Sequence, residues 1–384
     1  MNNRTSFSKL LPVLFAFFIM GFVDVVGIAT NYVKKDFGLS DTLANLLPMM
    51  VFLWFLVLSV PTGLLMNRIG RKKAVVISNI ITLLAMIIPL ISYRFSALLV
   101  AFALLGIGNT IIQVALNPLL TNVVSKDKLT SSLTLGQFIK AIASFLGPII
   151  ASLSASFFHN WKIIFLVFGA TTVLSTLWLM LMEIREIKAE GKNSSFGECF
   201  ALLKDRHILL FFLGIVGAVG VDVGLNTTLP KFLTERTGML LDKAAYGSSL
   251  YFLVRTLGTF IGAIVLAKIS GRKYFIVNII VAITAMAGLI FTGNLWGIWM
   301  LIFILGFTIA NVFPIIFSAA MQHKPDHYNE ISGLLIMGVS GGAIITWIVG
   351  LTTDLTGTQS GGLAILLAVL VYLLITAISM KKTE

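Results

Sequence analysis

Charge is what this chain has least of: only 11% of its 384 residues are Asp, Glu, Lys or Arg, too few to cover the surface of a soluble domain of this size. Cysteine occurs once, as Cys199, which excludes a disulfide framework. No Gly-x-x-x-x-Gly-Lys-Ser/Thr loop is present to cradle ATP, so any work the protein does runs on an ion gradient or downhill. The four histidines, His159, His207, His323 and His327, fall in loops or at helix ends and form no His/Cys cluster along the sequence. Neither a metal nor an organic cofactor is expected.

What fills the chain is apolar. Hydrophobic residues make up 58% and mean hydropathy is +0.99. Twelve runs of about 20 residues, enough to cross a bilayer, are expected near 10–33, 43–66, 74–93, 96–123, 131–158, 162–182, 208–233, 244–267, 274–293, 296–321, 330–353 and 361–380. The first is too long for a signal-peptide core and reads as a retained span. The fold class is therefore an all-α membrane protein with the lipid bilayer as its surroundings. The net charge of +12 is a topology signal and not a nucleic-acid footprint: with both termini placed inside, nineteen of the 28 Lys and Arg lie on the inner side and seven outside, with Lys140 and Arg255 within spans.

The longest polar stretch, residues 183–207, divides an N-terminal six-helix bundle, 1–182, from a C-terminal one, 208–384, and reads as a cytoplasmic linker. The halves echo one another. Val23-Asp24-Val25 returns as Val221-Asp222-Val223, and Arg68-Ile69-Gly70-Arg71-Lys72 as Ile269-Ser270-Gly271-Arg272-Lys273. Carboxylates are costly inside a membrane and normally face an internal cavity, so Asp24 and Asp222 point to an internal site to which both halves contribute. Both are candidate proton-coupling residues.

Parallel six-helix repeats are the plan of the major facilitator superfamily, and Gly63-Leu64-Leu65-Met66-Asn67-Arg68-Ile69-Gly70-Arg71-Lys72 resembles its signature loop between the second and third spans, with Asn67 in the usual acidic position. Gly63, Asn67, Arg68, Gly70 and Arg71 are thereby candidates for a conformational loop that presents cations to helix carbonyl ends. A plain topogenic basic turn fits the same residues. A narrower resemblance lies in Gln113-Val114-Ala115-Leu116-Asn117-Pro118, Leu135-Gly136-Gln137, Leu146-Gly147-Pro148, Phe313-Pro314 and Tyr251-Phe252-Leu253-Val254-Arg255, which are similar to the fucose/proton symporter family of sugar transporters. That likeness implies two pseudo-symmetric six-helix bundles, a monomer in a bacterial inner membrane, and a sugar and protons as partners. The chain departs from the family where it carries Gln113 in place of a glutamate, Lys140 in place of an asparagine, and Gly27 where the family has an aspartate, with Asp24 one turn earlier.

Asn109, Gln113 and Asn117 are spaced four apart and form an amide stripe on the fourth span, suited to sugar hydroxyls. The plainer alternative is that they glue this helix to a neighbour. Lys140 is within reach of Asp24, either as a switch or as a fixed ion pair, or it binds substrate oxygens directly. In the second half Asp222 and Asn226 share a face, with Arg255 the one cation of the eighth span; the three are candidate site residues, or Asp222 and Arg255 form an internal pair. Gln137 and Asn311 complete the substrate-binding candidates, and Tyr251, Phe313 and Trp347 are candidates for stacking on a sugar ring.

The resulting expectation is a secondary active transporter of a monosaccharide or related small polar solute, working by alternating access and proton symport. The alternatives within transport are a uniporter or a carrier of an acidic sugar or organic anion. Outside it stand a membrane-embedded substrate sensor and an intramembrane serine hydrolase, the latter suggested by Gly338-Val339-Ser340-Gly341-Gly342. A serine nucleophile needs a base, and no histidine lies inside a span, so an enzyme is not expected.

Overall fold

A computed structural model describes residues 7–39, 43, 46–184, 186, 195–239, 244 and 246–380, and every regular element among them is helical. Among the described residues twelve helices are long and apolar enough to cross a membrane: Lys9–Thr30, Leu46–Ile69, Arg71–Ile91, Phe95–Leu120, Lys126–Ala155, Ile163–Leu181, Arg206–Thr237, Tyr246–Leu266, Gly271–Phe291, Leu295–His323, Pro325–Thr356 and Gln359–Ser379. They are the first to twelfth spans below. Of the expected linker, residues 185 and 187–194 lie outside the described residues; Phe196–Ala201 forms a short helix, and Asp205 caps the seventh span by accepting from the backbone N–H groups of His207 and Ile208.

Contacts divide the chain into two compact units, Met1–Phe200 with Lys324–Met337, and Ala201–His323 with Gly338–Glu384. The eleventh span is shared: its first half, Tyr328–Met337, packs with the N-terminal helices. A 3-10 turn at Gly338–Ser340 separates the halves of this span, so the residues that suggest a nucleophile motif sit at a helix break. Their smallness has a packing cause. A Cβ on Gly341 would lie 2.4 Å from the Val216 carbonyl oxygen of the seventh span.

In the first unit the fourth span is the centre. Every residue from Gly108 to Leu120 is buried, as expected of a helix surrounded by others. Two glycines set the approach of its neighbours: a Cβ on Gly106 would meet the Val51 carbonyl oxygen of the second span at 2.4 Å, and one on Gly108 the Thr82 hydroxyl of the third span at 2.5 Å. Bulky apolar side chains such as Leu56, Leu174, Leu177 and Leu181 stay exposed, which suits a surface solvated by acyl chains. At one end of the bundle the Asp36 carboxylate accepts from the Tyr93 hydroxyl at 2.5 Å and from the Trp161 indole at 3.0 Å. Burial, then the adjacent Asp36 carboxylate, pushes the Tyr93 phenol above its ordinary range, and the Lys162 ammonium lies 4.3 Å from its ring centre.

Three spans are interrupted: the first at the 3-10 turn Gly21–Asp24, the tenth between Leu295–Ile309 and Val312–His323, and the eleventh at Gly338–Ser340. Interrupted helices at membrane depth release backbone groups, and these must be satisfied inside the protein.

Candidate functional site

The break in the first span organises the polar residues of the first unit. A 3-10 segment frees the Met20 carbonyl from a regular α ladder, and the Asn109 amide of the fourth span donates to it at 2.7 Å. Asn109 Oδ1 then accepts from Gln113 Nε2 at 2.7 Å, and the Asn117 amide donates to the Gln113 carbonyl at 2.8 Å. The expected stripe is therefore one connected chain of amides anchored on the broken helix. All three residues are buried. One of these bonds, Asn109 to Met20, joins two spans and the other two stay within the fourth span; Asn117 Oδ1 is buried without a partner.

Asp24 ends the 3-10 turn. It is exposed although Met20 to Val23, Val25 and Val26 are buried, so the break opens the helix at one side chain. Its described partner is the Ser144 hydroxyl of the fifth span, one turn beyond Lys140. Ser144 Oγ also lies 3.1 Å from the Lys140 carbonyl oxygen, so one hydroxyl proton serves either acceptor. Lys140 and Gln137 are partly exposed on the same span. Gly21 seats the turn against this span: a Cβ there would stand 2.5 Å from the Lys140 carbonyl oxygen.

The second unit treats its carboxylate differently. Asp222 Oδ2 faces Arg255 at 3.1 Å, and Oδ1 accepts from the Tyr251 hydroxyl at 2.8 Å. The internal pair expected as one alternative is present, so Asp222 has a countercharge within the same unit. Tyr251 is fully buried. Asn226 presents its carbonyl to the Ser248 hydroxyl at 2.8 Å. Asn311 occupies the break of the tenth span, where its amide donates to the Gly258 carbonyl at 2.9 Å and to the Tyr274 hydroxyl at 3.0 Å. Its donors are consumed by packing. Trp347 is largely exposed and serves no polar cluster described here.

The Gly70 loop is built as a connector. Gly70 has φ of +88°, the left-handed region that favours glycine, and it starts the third span. The Glu186 carboxylate accepts from the backbone N–H groups of Arg71 at 2.6 Å and Lys72 at 2.7 Å, an anion on a helix N-terminus. The Arg71 guanidinium donates to the Pro118 carbonyl, Thr121, Asn122 and Asn329, and Lys72 Nζ to the Met180 and Met182 carbonyls. Cations thus reach helix carbonyl ends, as the motif implies. Asn67 donates to Glu330 at 2.6 Å and accepts from Asn329 at 2.6 Å. This explains the missing acid: an aspartate at 67 would set two carboxylates against each other. Gly63 and Gly333 bring the second and eleventh spans together, a Cβ on Gly63 falling 2.7 Å from the Asn329 carbonyl oxygen. Arg68 lines a cleft with Leu64, Leu65 and Phe196.

Sequence reasoning missed Ser144, Glu186, Asn329 and Glu330. Glu330 stands at the start of the eleventh span, where an acid reads as a solvated helix end, and is in fact buried. The adjacent Cys199 thiol, 3.7 Å from the Glu330 carbonyl oxygen, is pushed up to about 12 by burial and by the Glu330 charge. The fold also brings together side chains with the chemistry of metal ligands. Asp205, His207 and His323 offer ligand atoms all within 4.8 Å of one another; Asp205 and His323 are 118 residues apart in sequence, too far for a spacing motif to reveal them.

Comparison with known proteins agrees with this architecture. The Major Facilitator Superfamily model matches residues 12–347. A glucose/galactose transporter of Brucella abortus is 28% identical over 375 residues, covering 93% of this chain and 89% of that protein. A putative glucose/galactose transporter of Helicobacter pylori is 27% identical over 365 residues, covering 90% and 89%. Among solved structures, the E. coli fucose:proton symporter FucP aligns with a TM-score of 0.87 at 17% identity, over 99% of this chain and 100% of that one, a likeness of fold.

Proposed function

Because the chain belongs to the major facilitator superfamily, we propose that it transports a monosaccharide of the glucose or galactose type by alternating access, coupled to protons through Asp24. One observation carries the coupling: a carboxylate exposed at a break in the first span, held only by a neutral hydroxyl among its described partners. An ionised carboxylate at membrane depth costs roughly 2.5–3.5 kcal/mol on insertion scales, a cost that a bound proton removes. Protonation of Asp24 thereby favours conformations in which this side chain leaves water. Gln137 and Lys140, partly exposed on the span that carries Ser144, supply donors to substrate hydroxyls. The hexose assignment draws on the two relatives named as glucose/galactose transporters. The buried amides Asn109, Gln113 and Asn117 hold the fourth span to the broken helix through the Asn109 bond to the Met20 carbonyl.

A second reading, uniport, is favoured by Gln113, which supplies no carboxylate where the resembling family has one. Proteoliposomes separate the two. Under the symport reading, an inward proton gradient drives glucose or galactose above its external concentration, and Gln137→Ala or Lys140→Ala removes saturable uptake. Hexose flux that ignores the gradient establishes uniport; flux of sugar acids without hexose flux overturns the substrate class.

A further inference from the structure

The Asp205, His207 and His323 cluster lies outside every group used above. His323 is the last residue of the helix Val312–His323, and Asp205 and His207 begin the seventh span. His323 Nε2 stands 3.2 Å from Asp205 Oδ2, and His207 Nδ1 stands 3.9 Å from Asp205 Oδ1. Two ligands bound to Zn²⁺ at about 2.0–2.1 Å in tetrahedral geometry are about 3.3 Å apart, so the first pair already has the separation of a shared metal. The second pair needs only a small side-chain rotation.

The surroundings favour this chemistry. Asp205 Oδ1 accepts from the His207 and Ile208 N–H groups, which fixes the carboxylate plane and leaves Oδ2 directed at His323. Such outer hydrogen bonds are what orient metal ligands. The His323 ring is held between the His207 ring, at 4.8 Å, and the edge of Phe211, at 6.5 Å. His323 is also the C-terminal residue of its helix, where unsatisfied carbonyls favour a cation. The neighbouring Lys204 and Arg206 are exposed.

We propose that Asp205, His207 and His323 form a binding site for a borderline divalent cation of the Zn²⁺ class, with solvent in the fourth position. The site has a structural consequence. The chain first enters the second unit after Phe200 and leaves it after His323, and the three ligands stand beside these two of its crossings. A bound ion would tie the start of the seventh span to the end of the tenth, where the chain enters and leaves the second unit.

The test uses the full chain, purified with a tag that contains no histidine and stripped with a chelator, then titrated calorimetrically with Zn²⁺. One equivalent is expected to bind, and His207→Ala and His323→Ala each weaken it by at least about tenfold. His159→Ala and His327→Ala leave it unchanged. Asp205→Asn separates metal binding from folding, because asparagine caps a helix as well as aspartate does but is a poorer ligand. It is expected to keep the parent melting temperature without metal and to lose the rise that Zn²⁺ gives the parent. Absence of stoichiometric binding, or binding indifferent to His207→Ala and His323→Ala, overturns the site.

Discussion

Asp24 and Asp222 share one short sequence, a valine on either side, and sit in opposite conditions. Asp222 lies in an uninterrupted helix with an arginine at 3.1 Å and a buried tyrosine hydroxyl at 2.8 Å. Asp24 lies in a broken helix, exposed, with a serine hydroxyl as its described partner. Equal sequence therefore does not mean equal duty. The paired carboxylate fixes the seventh span to the eighth, whereas the other meets a neutral hydroxyl and stays exposed. A duplicated half can thus keep its architecture while one copy of a charged residue is turned into a fastening.

The largest effect expected from this contrast is on coupling. Asp24→Asn abolishes gradient-driven accumulation in proteoliposomes while counterflow down a concentration gradient remains; accumulation that survives the change moves the proton site elsewhere. Next comes Arg255→Ala, which strands Asp222 in a partly buried site. Unfolding in detergent should show a loss of about 2 kcal/mol, less than the 3–5 kcal/mol of a fully buried pair because both groups keep some exposure. Removing both charges, as Asp222→Asn with Arg255→Ala, should restore part of that loss. Tyr251→Phe keeps the packing and removes one hydrogen bond to a charged group, a cost of about 1.5 kcal/mol, with proton coupling intact. Smallest is Ser144→Ala, about 0.5 kcal/mol or less. Its expected signature is an altered pH profile of uptake with little change in melting temperature, the opposite of what Tyr251→Phe gives.

Much of the architecture was legible because membrane spans announce themselves by length and composition. Twelve were expected and twelve helices meet the requirement. The Gly70 loop was legible because a positive φ needs glycine. Partners were not. Asp222 with Arg255 could be named because they are the charged residues of adjacent spans, but Asp24 with Ser144 could not, since hydroxyl residues are common in membrane helices. The stripe of Asn109, Gln113 and Asn117 was read correctly as one face, yet its main bond is to the Met20 carbonyl. Periodicity cannot show that a helix breaks, and so cannot show that a carbonyl there needs a donor.

The tight turn at Gly21–Asp24 has a metric consequence. In a 3-10 helix, residues three apart eclipse one another and are separated by about 6 Å along the axis, at ~2.0 Å per residue. In an α-helix, residues four apart share a face and are also separated by about 6 Å, at ~1.5 Å per residue. Gly21 and Asp24 on the first span, and Lys140 and Ser144 on the fifth, are such a matched set: Gly21 abuts the Lys140 carbonyl, and Asp24 meets the Ser144 hydroxyl. The two helices work like a vernier whose scales coincide at both ends of one interval. Rewinding the first span into a regular α-helix would put that coincidence out of step by about 1.5 Å and 60°, carrying the carboxylate away from its hydroxyl. The position of the Asp24 carboxylate is thus set by how tightly four residues are wound.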